Sequence, residues 1–229
     1  MRTRSDATLL RDHARLMDEA YRYQRHFYDL TRKYYLFGRD RIIRRLDPPP
    51  GGKVLEVGCG TGRNLAIAAR KYPHASFYGI DISNEMLKTA QANVAGSGRF
   101  DNIAMAQADA RDFDAYLLFG VKKFDRIFFS YSLSMIPEWE QAAARALDHL
   151  AEHGGLHIVD FGEMGGWPAL GRRLARSFLG RYHVRPVADF ASKISALSED
   201  RQLGCKTFQI AGGYAVLAKI DGGTTEVGW

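Results

Sequence analysis

Cysteine is nearly absent from this chain: Cys59 and Cys205 are the only two among 229 residues. Two cannot build a disulfide-stapled scaffold, and neither stands at metal-ligand spacing from histidine or acid, so no bound metal is expected. No apolar run approaches the ~18 residues that span a bilayer, so no transmembrane helix is expected. The opening stretch "MRTRSDATLLRDHARLMDE" mixes charges with single apolar residues and lacks the apolar centre of a secretory signal. The expected location is therefore cytoplasmic. Internal repeats and low-complexity tracts are missing as well. Acid falls short of base, with 26 Asp and Glu against 32 Lys and Arg, a net charge of +6. Most of the excess is confined to two segments: residues 1–50 hold 12 basic against 7 acidic side chains, and residues 165–186 hold five arginines and no acid. Such segments can face nucleic acid, anionic lipid or plain water, and charge alone does not choose among them.

What is present is 46% hydrophobic and 12% aromatic residues, enough for one full core with a small appendage. Leu10, Ala14, Met17, Tyr21, Tyr28 and Tyr35 fall on one helical face, which predicts a helical arm or cap over residues 1–50. "DPPPGG", Asp47 to Gly52, stops that arm, because three prolines remove backbone donors and two glycines loosen the chain. Over residues 51–220, β-branched apolar runs alternate with helical patterns: "KVLEVG", a helix at 62–71, "SFYGID", a helix at 84–94, "IAMAQAD", "FDRIFFSYS", a helix at 138–152 and "GGLHIVDF". This alternation predicts an α/β, Rossmann-like sheet of mostly parallel strands with helices on both faces. "KTFQIAGGYAVLAKI" reads as two strands around Gly212-Gly213, an antiparallel C-terminal hairpin completing a seven-stranded sheet. Residues 221–229 are expected to form a disordered tail.

The chemistry concentrates in "LEVGCGTG". A strand must turn there into a helix, and Gly58, Gly60 and Gly62 permit backbone positions that a Cβ would forbid or that a ligand must approach closely. Exposed amides at such a turn favour an anionic group. The spacing is GxGxG, not the GxGxxG of a dinucleotide turn, and Glu56 would repel a pyrophosphate while attracting an amine. Asp81 ends the second strand 19 residues after Gly62, where a carboxylate can accept both hydroxyls of a ribose, and Asp109 adds an acid at the same carboxyl edge of the sheet. The ligand implied is an adenosine bearing positive charge. Asp81 and Asp109 could alternatively cap helices, and Cys59 is most simply a small residue in a crowded turn.

"LEVGCGTG", "GIDIS" and "QADA", together with the final hairpin, resemble the class I S-adenosylmethionine-dependent methyltransferases over roughly residues 52–220. The resemblance implies S-adenosylmethionine as cofactor and S-adenosylhomocysteine as product. It implies that Gly58, Gly60 and Gly62 line the methionine portion, with Glu56 near its amine. Asp81 would hold the ribose, Ile82 would pack on the adenine, and Asp109 with Ala110 would meet the adenine edge. Met86 and Ser130 complete the implied cofactor set. An NAD-dependent oxidoreductase and a non-catalytic cofactor-binding protein are the competing readings.

Methyl transfer needs alignment of a nucleophile ~3 Å from the methyl more than it needs catalytic groups, so the cover over the site identifies the acceptor. Nucleic-acid amine methyltransferases of this fold carry an Asn/Asp-Pro-Pro-aromatic motif after the fourth strand. This chain has "FSYSLSMIPEW" there, and nucleic acid is not the expected partner. The arm segment "FYDLTRKYYLFGRDR" resembles betaine-lipid N-methyltransferases, related to phospholipid N-methyltransferases, which trimethylate a diacylglyceryl homoserine amine. That resemblance implies a lipid acceptor at an anionic membrane surface, a companion enzyme supplying the lipid amine, and peripheral attachment to the inner face of the membrane. A soluble small molecule or RNA remains the alternative acceptor. The tyrosine face of the arm either packs on the core or surrounds a nitrogen that becomes cationic. Tyr28, Tyr35 and Tyr131 are the candidates to accept or orient the amine proton. In "GWPALGRRLARSFLGRYHVRP", Trp167, Leu170, Leu174 and Phe178 share a helical face among Arg172, Arg173, Arg176 and Arg181, which suits either a membrane interface or a cover over the sheet. His157 reads as a satisfied sheet histidine, while His26 and His183 have no partner legible in sequence.

Overall fold

The computed structural model describes residues 36–96, 98, 101–181 and 184–222. Seven strands form one sheet in the order β3-β2-β1-β4-β5-β7-β6. β1 (Lys53–Val57), β2 (Ser76–Asp81), β3 (Ile103–Gln107), β4 (Phe124–Ser130) and β5 (Leu150–Phe161) run parallel. β7 (Ala215–Asp221) is antiparallel to β5 and to β6 (Gly204–Ile210), as the sequence predicts. The β6–β7 turn places Ala211, Gly212 and Gly213 at φ of 51°, 65° and 82°, and glycine makes two of those three positions inexpensive.

Both sheet faces are buried, as parallel strands require. On one face Leu55, Val57, Ile127, Phe129 and Ile158 pack against α4 (Ala115–Phe119), α5 (Trp139–Asp148) and α7 (Phe190–Glu199). On the other, Val54, Phe128, Val159 and Phe161 pack against α1 (Arg39–Arg44), α2 (Arg63–Lys71), α3 (Asn84–Gly96) and α6 (Ala169–Gly180). α1 spans only six residues, but Ile42 and Ile43 are fully buried, and such residues each stabilise by ~1.5–3 kcal/mol on burial. The Arg126 side chain holds the following segment by donating from Nε to Leu46 O at 2.6 Å and from a terminal nitrogen to Asp47 O at 2.9 Å.

The helix expected at 138–152 ends at Asp148 instead. Leu150 already pairs with Phe124, and the ladder resumes at Gly155 opposite Arg126, so 151–154 form an irregularity in one long strand. Burial of Leu150 beside Phe124 overrides the local helical preference of "LAEH". α4 and α7 were not anticipated; α4 is too short to show a period, and its signal is Asp114, whose carboxylate accepts from Tyr116 N and Leu117 N. Of the arm expected over residues 1–50, only α1 lies among the described residues; Tyr21, Tyr28, Tyr35 and His26 lie outside them, as do His183 and residues 223–229. Asp221, assigned to the tail from sequence, is the last residue of β7. Among the described residues, no helix is long and apolar enough to cross a membrane, and no group of His, Cys, Asp and Glu could hold a metal ion.

Candidate active site

The carboxyl ends of β1, β2 and β4 and the loop after β3 enclose one pocket. β1 ends at Val57, and the next residue, Gly58, has φ 75°. A Cβ there would lie 2.5 Å from the Ser132 Cβ, while Ser132 Oγ donates to Val57 O at 2.8 Å. Gly58 therefore lets the loop after β4 close against the turn. Gly60, at φ 52°, has nothing within 4 Å of its would-be Cβ, so its open side faces the pocket. Gly62 differs from the sequence expectation. It does not line the pocket; its would-be Cβ meets the Ala90 Cβ at 3.0 Å, so its role is the close approach of α2 to α3. Gly79, inside β2, makes room for Cys59, whose Cβ and Sγ would lie 3.0 Å from a Cβ at that position. Cys59 is thus a small residue in a crowded turn, its thiol pushed well above the usual range by burial.

Asp81 braces the pocket by accepting Gly60 N at 2.8 Å and Ser83 N at 2.9 Å. Ser83, not Asp81, caps α3, its Oγ accepting Met86 N at 3.2 Å. The Asp81 carboxylate is therefore held in a fixed orientation at the pocket edge. Glu56 lies deeper. It is 1% exposed, and Asn64 Nδ2 donates to its Oε1 at 2.7 Å. Glu56 Oε2, Asn64 Oδ1 and Ser130 Oγ are buried without hydrogen-bond partners among the described residues. Burial raises the Glu56 carboxyl to about 8, against the lowering effects of the Asn64 hydrogen bond and of Arg39 and Arg63.

This donor and acceptor set fits a zwitterionic amino acid joined to a nucleoside. Glu56 Oε2 and Asn64 Oδ1 are orphaned acceptors that an ammonium would satisfy. Arg39 and Arg63 line the same pocket and supply the charge for a carboxylate. Neither Asn64 nor Arg39 was singled out from sequence. Asn64 is eight residues after Glu56 on the first turn of α2, and that nearness was the available signal. Arg39 has no spacing signal; its position follows from α1 packing on the sheet.

Ile82, Met86, Asp109, Ala110, Ser130 and Tyr131 all line the pocket. Asp109 also braces its own loop, accepting Arg111 N at 2.9 Å and the Arg111 guanidinium at 2.8 Å, and Arg111 bridges onward to Glu138. Tyr131 sits at φ 58°, a left-handed position costly for a tyrosine, and its hydroxyl donates to Phe37 O at 2.5 Å. Burial first, then Asp160, raises its phenol above the usual range. A protonated hydroxyl already committed as a donor makes Tyr131 a latch between the pocket wall and Phe37; of the two roles expected from sequence, accepting or orienting the amine proton, this geometry speaks against the first. Leu36, Met135, Ile136 and Pro137 make the rest of the wall apolar. His157 is not in this pocket, and it is not the satisfied sheet histidine expected, because neither ring nitrogen has a hydrogen-bond partner among the described residues.

Residues 54–154 match the model of a family described as a methyltransferase domain. The chain is 33% identical over 110 residues to the phosphatidylethanolamine N-methyltransferase of Cereibacter sphaeroides, covering 48% of this chain and 51% of that protein. It is 29% identical over 140 residues to the ubiquinone/menaquinone biosynthesis C-methyltransferase of Geotalea daltonii, covering 58% of each. The Haemonchus contortus phosphoethanolamine N-methyltransferase 2, solved in complex with S-adenosyl-L-methionine, superposes with a TM-score of 0.61 at 18% identity, over 75% of this chain and 38% of that one. At that identity the likeness is one of fold. The chain spans about half the length of the relatives it matches.

Proposed function

From the premise that this chain carries a class I S-adenosylmethionine-dependent methyltransferase domain, we propose that it transfers methyl groups to the amine of a membrane-lipid head group, the diacylglyceryl homoserine amine being the specific acceptor, methylated stepwise to the trimethylated betaine lipid. The observation that carries the lipid reading is the outer face of α6. Leu170 and Leu174 are 71% and 64% exposed and Phe178 45%, with Arg172, Arg173 and Arg176 on the same helix. An amphipathic helix of this kind suits a bilayer interface with anionic lipid. Its base is coupled to the pocket. Trp167 stacks on Tyr214 at 5.6 Å, Tyr214 meets Phe161 edge-on at 5.7 Å, and Phe161 meets Tyr131 at 4.6 Å. The likeness to a phosphatidylethanolamine N-methyltransferase points the same way.

The bound cofactor supplies a methyl group already activated by its sulfonium. The chain's own part is to bind, align and dry. Glu56, Asn64 and Arg39 would seat the amino-acid end and Asp81 the ribose. The apolar wall of Leu36, Met135, Ile136 and Pro137 would exclude water from the acceptor side. An alkylammonium there is desolvated, which lowers its pKa and frees the lone pair that attacks, without a dedicated base. Tyr28 and Tyr35 would complete the cover.

The test is incubation with methyl-labelled cofactor and a total lipid extract, beside the same extract stripped of amino lipids. Label in amino lipids is the expected result. The apolar wall and the quinone-pathway relative favour a second reading, a hydrophobic ring as acceptor. Label only in quinones, or only in water-soluble products, would reject the amine-lipid assignment.

A further inference from the structure

Arg111 joins two walls of the cofactor pocket that come from separate elements. The strand order lays out the floor of that pocket. β1 carries Glu56, β2 beside it ends at Asp81, and β3, outermost, leads into Asp109, Ala110 and Arg111. With the amino-acid end of the cofactor at Glu56 and its ribose at Asp81, the base falls to the loop after β3. Met135, Ile136 and Pro137 line the same pocket from the loop after β4, on the other side of β1. Glu138 follows them directly as the residue before α5, and it does not itself line the pocket.

One guanidinium spans the two loops. Its Nε and Nη2 donate side by side to the Asp109 carboxylate at 3.0 and 2.8 Å, and its Nη1 donates to the Glu138 carboxylate. Asp109 is mostly buried and Glu138 half-exposed. A rigid planar fork can hold two carboxylates at a set separation, which a flexible lysine ammonium would not. The base of the loop after β3 is fastened elsewhere, by Arg145 Nε donating to Phe113 O at 2.7 Å and by the Asp114 cap of α4. What the Arg111 bridge settles is therefore the rim at 109–111 and its distance from the Ile136–Pro137 wall. We infer that Arg111 is a positioning residue that fixes the width of the slot for the cofactor's base, by tying the loop after β3 to the loop after β4 through Asp109 and Glu138. The inference rests on the cofactor and not on the identity of the methyl acceptor. A slot already held at its width spares the ligand the cost of ordering the rim on binding.

The test is calorimetric titration of S-adenosylhomocysteine and of adenosine into the full chain as wild type, Glu138→Ala, Arg111→Met and the double variant. Glu138→Ala should weaken both ligands by about threefold, the size expected of a partly exposed ion pair, and the difference from wild type should narrow in about 1 M sodium chloride. In the Arg111→Met background the same substitution should change neither affinity. Glu138→Ala also removes an acid from the N-terminus of α5, and the small fall in melting temperature from that loss should persist in Arg111→Met, so that stability and affinity part company. Equal affinities in wild type and Glu138→Ala, or a loss of affinity that persists in Arg111→Met, would overturn the tie and leave Glu138 a helix-terminal acid only. Wild-type protein that binds neither ligand would instead remove the cofactor on which the inference stands.

Discussion

Cofactor binding should expel a proton from Glu56. The carboxyl stands at about 8 in the free protein because it is buried with Oε2 unmatched, so about nine in ten molecules hold that proton at pH 7. An ammonium set against Oε2 favours the carboxylate, and an opposite charge at contact lowers such a group by ~1–3 pH units. The bound carboxyl then retains at most about half a proton at pH 7. The cofactor's own amine, with a reference pKa of ~7.7–8.0, takes up only about a tenth when it is held as an ammonium. Net release is therefore roughly 0.3 to 0.8 proton per S-adenosylhomocysteine bound. Calorimetry in two buffers of different ionisation enthalpy measures it directly, and Glu56→Gln should abolish it while weakening binding by about tenfold or more. Binding enthalpy independent of buffer, or equal proton release in Glu56→Gln, would refute the placement of the ammonium.

The same carboxyl leaves a mark on stability. Its folded pKa is raised, so its contribution is full below about 4.5 and is lost as pH rises toward about 8. Asp160, raised to about 6 by burial, acts in the same sense but between about 3.8 and 6. His157, lowered to about 3, acts in the opposite sense, costing stability as pH falls below about 6.5. Among these three, only Glu56 titrates between about pH 6.5 and 8. The free protein should lose melting temperature across that window, and Glu56→Gln should not.

Gly58→Ala must push a Cβ into Ser132 at φ 75°, and overpacking with left-handed strain together should cost at least ~2 kcal/mol, read as a fall in melting temperature. Gly60→Ala meets no atom, so it should cost only about 1 kcal/mol of backbone strain while cutting S-adenosylhomocysteine affinity by more than tenfold; equal affinity would remove Gly60 from the ligand surface. Asp81→Asn loses charge toward Gly60 N, Ser83 N and the ribose, and calorimetry should find affinity down by about a hundredfold. Tyr131→Phe should destabilise by ~1–3 kcal/mol through the lost bond to Phe37 O, with turnover within about tenfold of wild type; a thousandfold loss would restore Tyr131 to a proton-transfer role.

Much of the fold is legible because its strands announce themselves twice, as β-branched runs and as partners in alternation with helices. The start of β5 is not legible, since Leu150 becomes strand only through its pairing with Phe124, 26 positions earlier in the chain. α7 does carry a signal, with Phe190, Ile194 and Leu197 at helical spacing, all in or against the core. The site is legible in parts for a related reason. Three glycines at alternate positions predict a bare turn, yet spacing cannot say what each one faces. Gly58 faces Ser132 in the loop after β4, Gly62 faces Ala90 of α3, and Gly60 faces no neighbour at all, only the pocket. The Tyr131–Phe37 latch joins residues 94 positions apart and leaves no local pattern, and Arg39 lines the pocket with no spacing signal in the sequence.

α6 sharpens the distinction between what a helical face contains and where it points. Its residues present two adjacent ridges, Leu170, Leu174 and Phe178 on one and Gly171, Ala175 and Leu179 on the next, one residue or about 100° around the axis. The helix rests on the second ridge, with Leu179 fully buried and Ala175 packed beside it. A helix serving only to cover the sheet would place its larger apolar side chains inward, since each gains ~1.5–3 kcal/mol from burial. Here Leu170 and Leu174 stay outside, forgoing that gain, among arginines that hold positive charge at the same surface. A face built this way is consistent with a partner that is apolar within and anionic at its boundary. Leu174→Glu should therefore leave stability within about 0.5 kcal/mol, because the side chain is exposed, while abolishing flotation with anionic vesicles. Wild-type protein that fails to float at low salt would remove the bilayer from the proposal and leave the methyl-transfer chemistry of the pocket standing.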